Sequence, residues 1–392
     1  MKLSKQQKHV VGVSIMNFVF FAIATLRLRG GLLRIPPDPG FDVLSQARPV
    51  LRFSFFDIAK HGSYISVIPR IIGKLAAFAP IEYAAVISSL LTLFIWSLSA
   101  TITCLAIKQI TKTTVVALLC GLVVVLNPAA GESSIGNYGN AIWQIYIVMS
   151  LVFAVAEFPK KFNIPVYLLA LIGGLSHPWA VLTLIPLIGS MPNSSKQHRT
   201  VQKNLLLITL LTFGIQIAVF LSTGSSAARA GVTYWWANMP IFWSFNWLFP
   251  IALSISVILL NLIISNRQEK NRFTATYIAL SALSVAIVCY LQGGIADRYF
   301  VAPMTLSICA AGVLATQLGL KWKWAPRLVF TATLVLVSVG SYKWFRASSY
   351  LNSGPTWYSE VIRIREACAN QESVFLEAQL SLGTTEVSCD SL

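Results

Sequence analysis

The sequence predicts an all-α protein that crosses a membrane many times. Hydrophobic residues make up 56% of its 392 residues and charged residues 11%, and the mean hydropathy is +0.69. A soluble domain has about a quarter of its residues charged. Long uncharged runs recur along the chain without alternation in polarity, which favours helices over barrel strands. This composition excludes a water-soluble enzyme, a disordered protein and a disulfide-dense secreted scaffold.

The first crossing is predicted at residues 10–26, after three lysines near the N-terminus. Ala22-Ile23-Ala24 also fits a signal-peptidase site, but the run is long enough to span a bilayer. Later uncharged runs lie near 83–107, 113–128, 141–156, 163–190, 204–223, 247–265, 273–292, 299–320 and 328–342. The run 163–190 is too long for one crossing and is interrupted at Gly173–Pro178, so we interpret it as a helical hairpin. This gives about eleven crossings.

The charge pattern predicts the orientation of these crossings. Lys and Arg cluster in alternate loops, whereas 129–140 and 176–178 contain neither. By the positive-inside rule the N-terminus is inside and the C-terminus outside a bacterial cytoplasmic membrane. We therefore divide the chain into a transmembrane domain, 1–344, whose first outer loop covers about 27–82, and a small outer segment, 345–392.

The net charge of +16 does not indicate a nucleic-acid partner. Its basic residues stand in short clusters between apolar runs, where they orient helices and meet anionic lipid headgroups. The sequence has no basic stripe with interleaved base-stacking aromatics. The lipid bilayer is therefore the expected partner of this charge.

The six cysteines fall into two groups. Cys368 and Cys389 lie in the outer segment and are predicted to form a disulfide in an oxidising compartment. The other four fall in apolar runs and are expected to be buried. No metal-ligand spacing is present.

The first outer loop carries acids and cations together. Asp38 and Asp42 lie in a proline-rich turn just beyond the first crossing. A helix is predicted from Asp42, with Asp42 as its N-cap and with Arg48 and Arg52 on one face. A second amphipathic helix is predicted from Pro69. We expect both helices to lie in the membrane interface.

That second helix has two predicted faces. Ile71, Leu75 and Phe78 share one side, and Arg70 and Lys74 share the other. Cations can hold a lipid-linked phosphate, and a carboxylate can take a proton from an attacking hydroxyl. The alternative is that the acid merely caps a helix and the arginines extend to lipid headgroups.

Three other outward segments carry candidate site residues. The first segment carries an acid, two amides and an aromatic: Glu132, Asn137, Asn140 and Trp143. Amides beside an aromatic commonly bind sugar hydroxyls. The alternative is a glycine-rich turn with an interfacial tryptophan. The second segment has His177 at the tip of the hairpin, where it can be either a hydrogen-bonded packing residue or a proton shuttle. The third segment has Asp297 beside Arg298, either as site residues or as a local ion pair. Separately, a tryptophan-rich loop at 234–247 fits either sugar stacking or an aromatic belt.

The sequence resembles the GT-C superfamily of membrane glycosyltransferases, which use polyprenyl-phosphate sugars. The resemblance rests on the acid-bearing first loop, the interface helices and the many-helix body. Local patches resemble a bacterial set of GT-C-like proteins whose substrates are mostly unassigned. These patches are His61–Arg70, Asn137–Trp143, Gly174–Pro178 and Asp297–Pro303.

The resemblance implies that a first-loop acid acts as catalytic base or metal ligand, and Asp42 or Asp38 is the matching position. Many members carry adjacent acids there, whereas Pro39-Gly40-Phe41 separates the two in this sequence. The choice between the two acids and the need for a divalent metal ion therefore stay open. The patches add His61 and Tyr64 to the candidate substrate-binding residues.

We therefore expect the transfer of a sugar, with inversion of its anomeric configuration, on the outer face of a bacterial cytoplasmic membrane. The donor is a polyprenyl-phosphate-linked sugar, and the acceptor is an envelope glycan, lipid or protein. Asp42, with Asp38 as the runner-up, activates the acceptor hydroxyl. The first alternative is a transporter or flippase, favoured by the interrupted hairpin. The second is an inactive scaffold for envelope synthesis.

Overall fold

The computed structural model describes residues 4–28, 64–127, 129–130, 135–223, 245–264, 273–291, 297–319, 356–376 and 385–389, with isolated positions between 324 and 339. Several candidates fall outside these ranges: Asp38, Asp42, Arg48, Arg52, His61 and Glu132. The tryptophan-rich loop also lies outside them for most of its length.

The described chain is almost entirely helical. The helices of the apolar body are α1 (Lys5–Leu28), α2 (Val67–Ala77), α3 (Ala84–Thr111), α4 (Thr114–Leu126), α5 (Ala141–Phe153), α6 (Asn163–Gly174), α7 (Leu184–Ser190), α8 (Lys196–Thr223), α9 (Phe245–Ile264), α10 (Thr274–Leu291) and α11 (Val301–Gly319). The C-terminal segment contributes α12 (Trp357–Cys368), β1 (Ser373–Leu376) and β2 (Thr385–Ser388). The all-α prediction is thus confirmed at the level of fold class.

In the described part of the chain, three helical segments are long and apolar enough to cross a membrane: Val10–Leu28, Ile81–Thr111 and Lys196–Ser222. Five shorter apolar helices lie at Thr114–Leu126, Tyr138–Phe153, Leu248–Ile263, Thr274–Tyr290 and Val301–Gln317. Helices α1 and α8 also expose large apolar side chains, among them Phe18 and Leu221. Such surfaces suit lipid, so the apolar helices indicate a membrane-embedded protein.

The bundle interior contains irregular backbone between short helices. Helices α4 and α5 have 13 residues each, and α6 has 12, against about 20 needed for one crossing. The described residues between α4 and α5 are nonetheless buried, including Asn127, Ile135 and Tyr138. Non-helical backbone at membrane depth persists only where protein buries it or where it lines a cavity.

Two contacts indicate how deep this irregular backbone lies. The side chain of Gln109, near the end of α3, donates to the carbonyl of Glu157 in a charged turn at one end of the bundle. Ser99, on the same helix, donates to the carbonyl of Gln144 on α5. Ten residues of α-helix rise about 15 Å, so Gln144 lies about 15 Å along α3 from the charged turn at Glu157.

Helix α2 begins before Pro69 and is amphipathic. Pro69, Ile72, Gly73 and Ala76 are buried, and Ile72 clusters with Ala84, Tyr138 and Ala141, at α3 and at the start of α5. Leu75 and Phe78, which we predicted to lie on one apolar side with Ile71, are 47% and 84% exposed. The helix has a protein-facing side because the bundle supplies a second apolar surface that sequence periodicity alone does not show.

The C-terminal segment forms a small module on the bundle. Strands β1 and β2 pair antiparallel, and a disulfide joins Cys368 to Cys389. The indole of Trp357 is buried and donates to the carbonyl of Ile81 at 2.6 Å. Arg365 forms an ion pair with Glu82. The module is therefore anchored at the start of α3.

Candidate functional site

An aromatic cluster joins segments that lie far apart in the sequence. The ring of His177 lies 5.0 Å from that of Tyr64, 5.6 Å from Trp143 and 4.6 Å from Trp179, measured between centroids. Trp143 also contacts Trp179 and Tyr299, each at 5.7 Å. We call these five residues the aromatic cluster. It draws on all four patches that carry the sequence resemblance.

The aromatic cluster has a buried floor and an accessible side. The two indoles, Trp143 and Trp179, are buried, whereas Tyr64, His177 and Tyr299 are half-buried. Aromatic faces with a few polar groups at their edges are typical of small-ligand sites. The cluster can therefore stack on an apolar ring face while its N–H and O–H groups supply hydrogen bonds.

The chain places His177 through a break between α6 and α7. A residue before proline avoids the helical region, and His177 is accordingly extended, with φ −159° and ψ 136°. Its Nδ1 accepts a hydrogen bond from the backbone N–H of Trp179 at 3.2 Å. A nitrogen that accepts carries no proton, so Nε2 carries the proton of the neutral ring. His177 thus offers an N–H donor rather than a base.

Gln216 on α8 connects the first outer loop to this break. Its side chain bonds both backbone groups of Ile65, accepting from the N–H at 2.8 Å and donating to the carbonyl at 3.0 Å. It also donates to the carbonyl of Gly174 at 3.1 Å. The hydroxyl of Ser176 accepts from the N–H of Ile68 at 3.2 Å. The end of the loop is therefore fixed against the hairpin tip.

Three buried amides near the site differ in their hydrogen bonding. Asn137 accepts from the N–H of Gly139 and so caps the turn before α5, while its Nδ2 has no partner among the described residues. Asn140 is also buried. Gln144 is fully buried, and within the described part of the chain neither its Oε1 nor its Nε2 has a partner. Unsatisfied buried amides are costly, which makes Gln144 a candidate ligand contact that the sequence analysis missed.

Arg27 has a role that the sequence did not indicate. Its guanidinium is buried and donates to the carbonyls of Val125, Asn127 and Ala130 at 2.6 to 2.8 Å. These carbonyls lie in the last turn of α4 and just beyond it, where acceptors have no helical partners. Arg27 therefore stabilises the buried turn beneath the site, although its place in the sequence suggested only a loop cation after the first crossing.

Three remaining candidates lie near members of the aromatic cluster along the chain. Arg70 is on α2, one turn beyond Ser66, and half-buried. Asp297 and Arg298 belong to a 3₁₀ turn that leads directly to Tyr299. Among the described residues no group of three His, Cys, Asp or Glu side chains is placed to hold a metal ion. Asp38, Asp42 and Glu132 lie outside that part of the chain.

Fold and site together define a membrane-embedded helical protein with an aromatic cluster in its interior. Comparison with protein-family models, with curated proteins and with solved structures found no match.

Proposed function

We propose that the protein is a membrane glycosyltransferase. It moves a sugar from a polyprenyl-phosphate donor to an envelope glycan, lipid or protein acceptor on the outer face of the cell membrane. The proposal includes about eleven crossings, with the N-terminus inside and the C-terminus outside. The observation that carries it is the attachment of Ile65 to Gln216 and the hairpin tip. This attachment holds the described end of the loop, residues 64–66, beside the aromatic cluster, and the proposal brings the acids of the same loop to that site.

The described side chains suit a sugar substrate. Indole and phenol rings offer flat apolar faces to the C–H side of a sugar ring, and His177 offers an N–H to a hydroxyl. Arg70, one helical turn from the attached segment, is the candidate cation for the donor phosphate, with Arg48 and Arg52 from the loop. Asp42, or Asp38, takes the proton of the acceptor hydroxyl.

The proposal is tested with purified full-length protein in liposomes and radiolabelled polyprenyl-phosphate sugars. Mass spectrometry of envelope glycans from a deletion strain identifies the sugar to use. We expect Asp42→Asn, or failing that Asp38→Asn, to lower transfer about a hundredfold or more, the usual contribution of a general base. Asp57→Asn, in the same loop, is the matched control. Full transfer by both single variants and by the double variant contradicts the base assignment.

A transporter or flippase is the second candidate. The buried irregular backbone between α4 and α5, with the amide of Gln144 unpartnered among the described residues, favours it because broken helices often form transport sites. The two functions differ in product. Movement of a fluorescent lipid-linked sugar across the liposome bilayer, with no new covalent product, supports transport, whereas a labelled acceptor supports transfer.

A further inference from the structure

A small cavity opens at the end of the bundle that is remote from the aromatic cluster. It lies where α3, the turn after α5, the turn before α8 and the start of α10 meet, and its volume is about 240 Å³. Its lining consists of Gln109, Ile110, Lys112, Ala154, Val155, Ala156, Glu157, Asn193 and Thr274. Five of these nine residues have polar or charged side chains, so the cavity suits a polar ligand.

The cavity lies at the level where spanning helices end. Helix α3 ends at Thr111, and α8 begins at Lys196. Glu157 joins the two ends, since its carbonyl accepts from Gln109 and its Oε1 accepts from the N–H of Ser195 at 3.1 Å. The apolar part of α3 ends near this level, and α8 begins with a polar stretch, 196–204, before its apolar run, so the cavity lies on the headgroup side of a membrane–water boundary.

Apolar side chains beside the cavity remain exposed. Val115, at the start of α4, is 53% exposed, and Phe273, directly before Thr274, is 36% exposed. Side chains of this kind suit acyl chains next to a headgroup site. The cavity therefore adjoins both a polar and an apolar surface.

The lining carries one charge of each sign. Lys112 supplies an ammonium group and Glu157 a carboxylate, and both residues are exposed. Arg199 stands close by, because it donates to the carbonyls of Pro192 and Ser194 on either side of Asn193. Further cations near this end of the bundle are Lys108, Lys160, Lys161 and Lys196. A ligand with a phosphate and a primary ammonium group matches the lining better than a simple anion, which Glu157 repels.

We propose that this cavity binds the headgroup of a phospholipid that carries a primary ammonium group, as phosphatidylethanolamine does. Lys112 binds the phosphate, Glu157 binds the ammonium, and Gln109, Asn193 and Thr274 supply hydrogen bonds. The volume of about 240 Å³ is below the roughly 300–1,000 Å³ of pockets for drug-sized ligands, so it suits a headgroup of a few heavy atoms. A nucleotide is too large for it.

Two substitutions each remove one of the two charges and leave the local structure in place. Lys112 has a left-handed backbone, with φ 59°, and glycine adopts this conformation without strain. Lys112→Gly therefore removes the ammonium group while relieving the backbone. Glu157→Gln removes the negative charge but keeps an oxygen to accept from Ser195. Lys160→Ala, near the same end but outside the lining, is the control for diffuse charge.

The test uses the purified full-length protein in nanodiscs of equal phosphatidylethanolamine, phosphatidylcholine and phosphatidylglycerol, with retained lipid counted by native mass spectrometry. We expect phosphatidylethanolamine to be retained about fivefold over the other two, the scale of one partly exposed ion pair. Lys112→Gly should lower phospholipid retention as a whole. Glu157→Gln should remove only the preference for ethanolamine, and Lys160→Ala should change neither.

Three results overturn the proposal. Equal retention of the three lipids by the wild type removes the ammonium contact. An effect of Lys160→Ala as large as that of Lys112→Gly shows that charge near the surface, not the cavity, attracts lipid. Displacement of bound lipid by soluble O-phosphoethanolamine at equal concentration identifies a site for a free phosphomonoester instead. Circular dichroism and melting of each variant confirm that the fold is intact.

Discussion

The rings of Tyr64 and His177 lie 5.0 Å apart, although one residue precedes α2 and the other lies at the tip of a helical break. Gln216 holds these two segments together through its bonds to Ile65 and Gly174, and Ser176 adds a bond from the N–H of Ile68. These side chains therefore help to keep the end of the loop at the site. The position of the loop and the integrity of the site should therefore change together in variants.

Gln216→Leu should separate the loop from the hairpin tip. The substitution leaves the N–H and carbonyl of Ile65 without their side-chain partner, at a cost of about 1–3 kcal/mol in the free energy of unfolding. Denaturation in detergent measures the loss, and proteolysis should then cut more readily near residue 65. Asn204→Leu on the same helix is the control, because its bond to Tyr167 is exposed. Equal effects of the two changes contradict the proposed role of Gln216.

Gly174→Ala should push α6 and α8 apart. A methyl group at this position overlaps the side chain of Thr212, whose helix cannot move without disturbing Gln216. Overpacking of this kind costs about 1–3 kcal/mol. Gly214→Ala on α8 is the matched control, since a methyl there meets nothing within 4 Å and should stabilise the helix by up to about 1 kcal/mol. Thermal melting of both variants checks the opposite signs.

The sequence predicted features that depend on local pattern. Uncharged runs located the apolar helices, and Gly173-Gly174 followed by Pro178 located the break after α6. The spacing of Cys368 and Cys389 in one polar segment agreed with the disulfide in the structure. These features depend on the residues of one segment and need no knowledge of the partner surface.

Features that depend on contacts between distant segments were not predictable in the same way. Arg27 follows an apolar run, and such cations ordinarily orient the helix. Its bonds to three carbonyls at and beyond the end of α4 follow only from the packing of α1 beside that helix. Periodicity indicated that α2 is amphipathic but not that Ile72 is its most deeply packed isoleucine. The aromatic cluster likewise joins four segments whose order in space no local pattern encodes.

Arg27→Ala should be among the most destabilising single changes in the described chain. It removes a buried guanidinium from three carbonyls, which then lose their donors, so we expect a loss of about 3–5 kcal/mol. Arg27→Lys should recover only part of the lost free energy of unfolding, because one ammonium group cannot match the hydrogen bonds of the planar guanidinium to three carbonyls. Lys8→Ala, at the exposed start of α1, is the control. Chemical denaturation of the four proteins measures the order of stability; full recovery by lysine contradicts the geometric argument.

Reduction of the Cys368–Cys389 disulfide should loosen the C-terminal module without unfolding the bundle. The bond closes a loop with a sequence separation of 21, which stabilises the module by about 3 kcal/mol in the chain-entropy account. The double variant Cys368→Ser, Cys389→Ser should therefore be cleaved between α12 and β2 by limited proteolysis, while the bundle melts unchanged. A serine at buried Cys104 tests whether loss of any thiol has the same effect. A fall in bundle melting with the double variant contradicts the independence of the module.

Gln144→Leu should separate stability from function. Its amide is fully buried and has no partner among the residues that the structure describes, so an apolar side chain of similar size relieves a penalty, and the melting temperature should stay level or rise by a few degrees. If the amide contacts substrate, sugar transfer should fall about tenfold, the value of one good hydrogen bond to a ligand. Tyr146→Phe, on the same helix, is the opposite control: its hydroxyl bonds Ser281 at 2.9 Å, so its loss should destabilise the protein by about 1 kcal/mol. A melting temperature that falls in Gln144→Leu as it does in Tyr146→Phe contradicts this role, because the amide then has a partner in the resting protein.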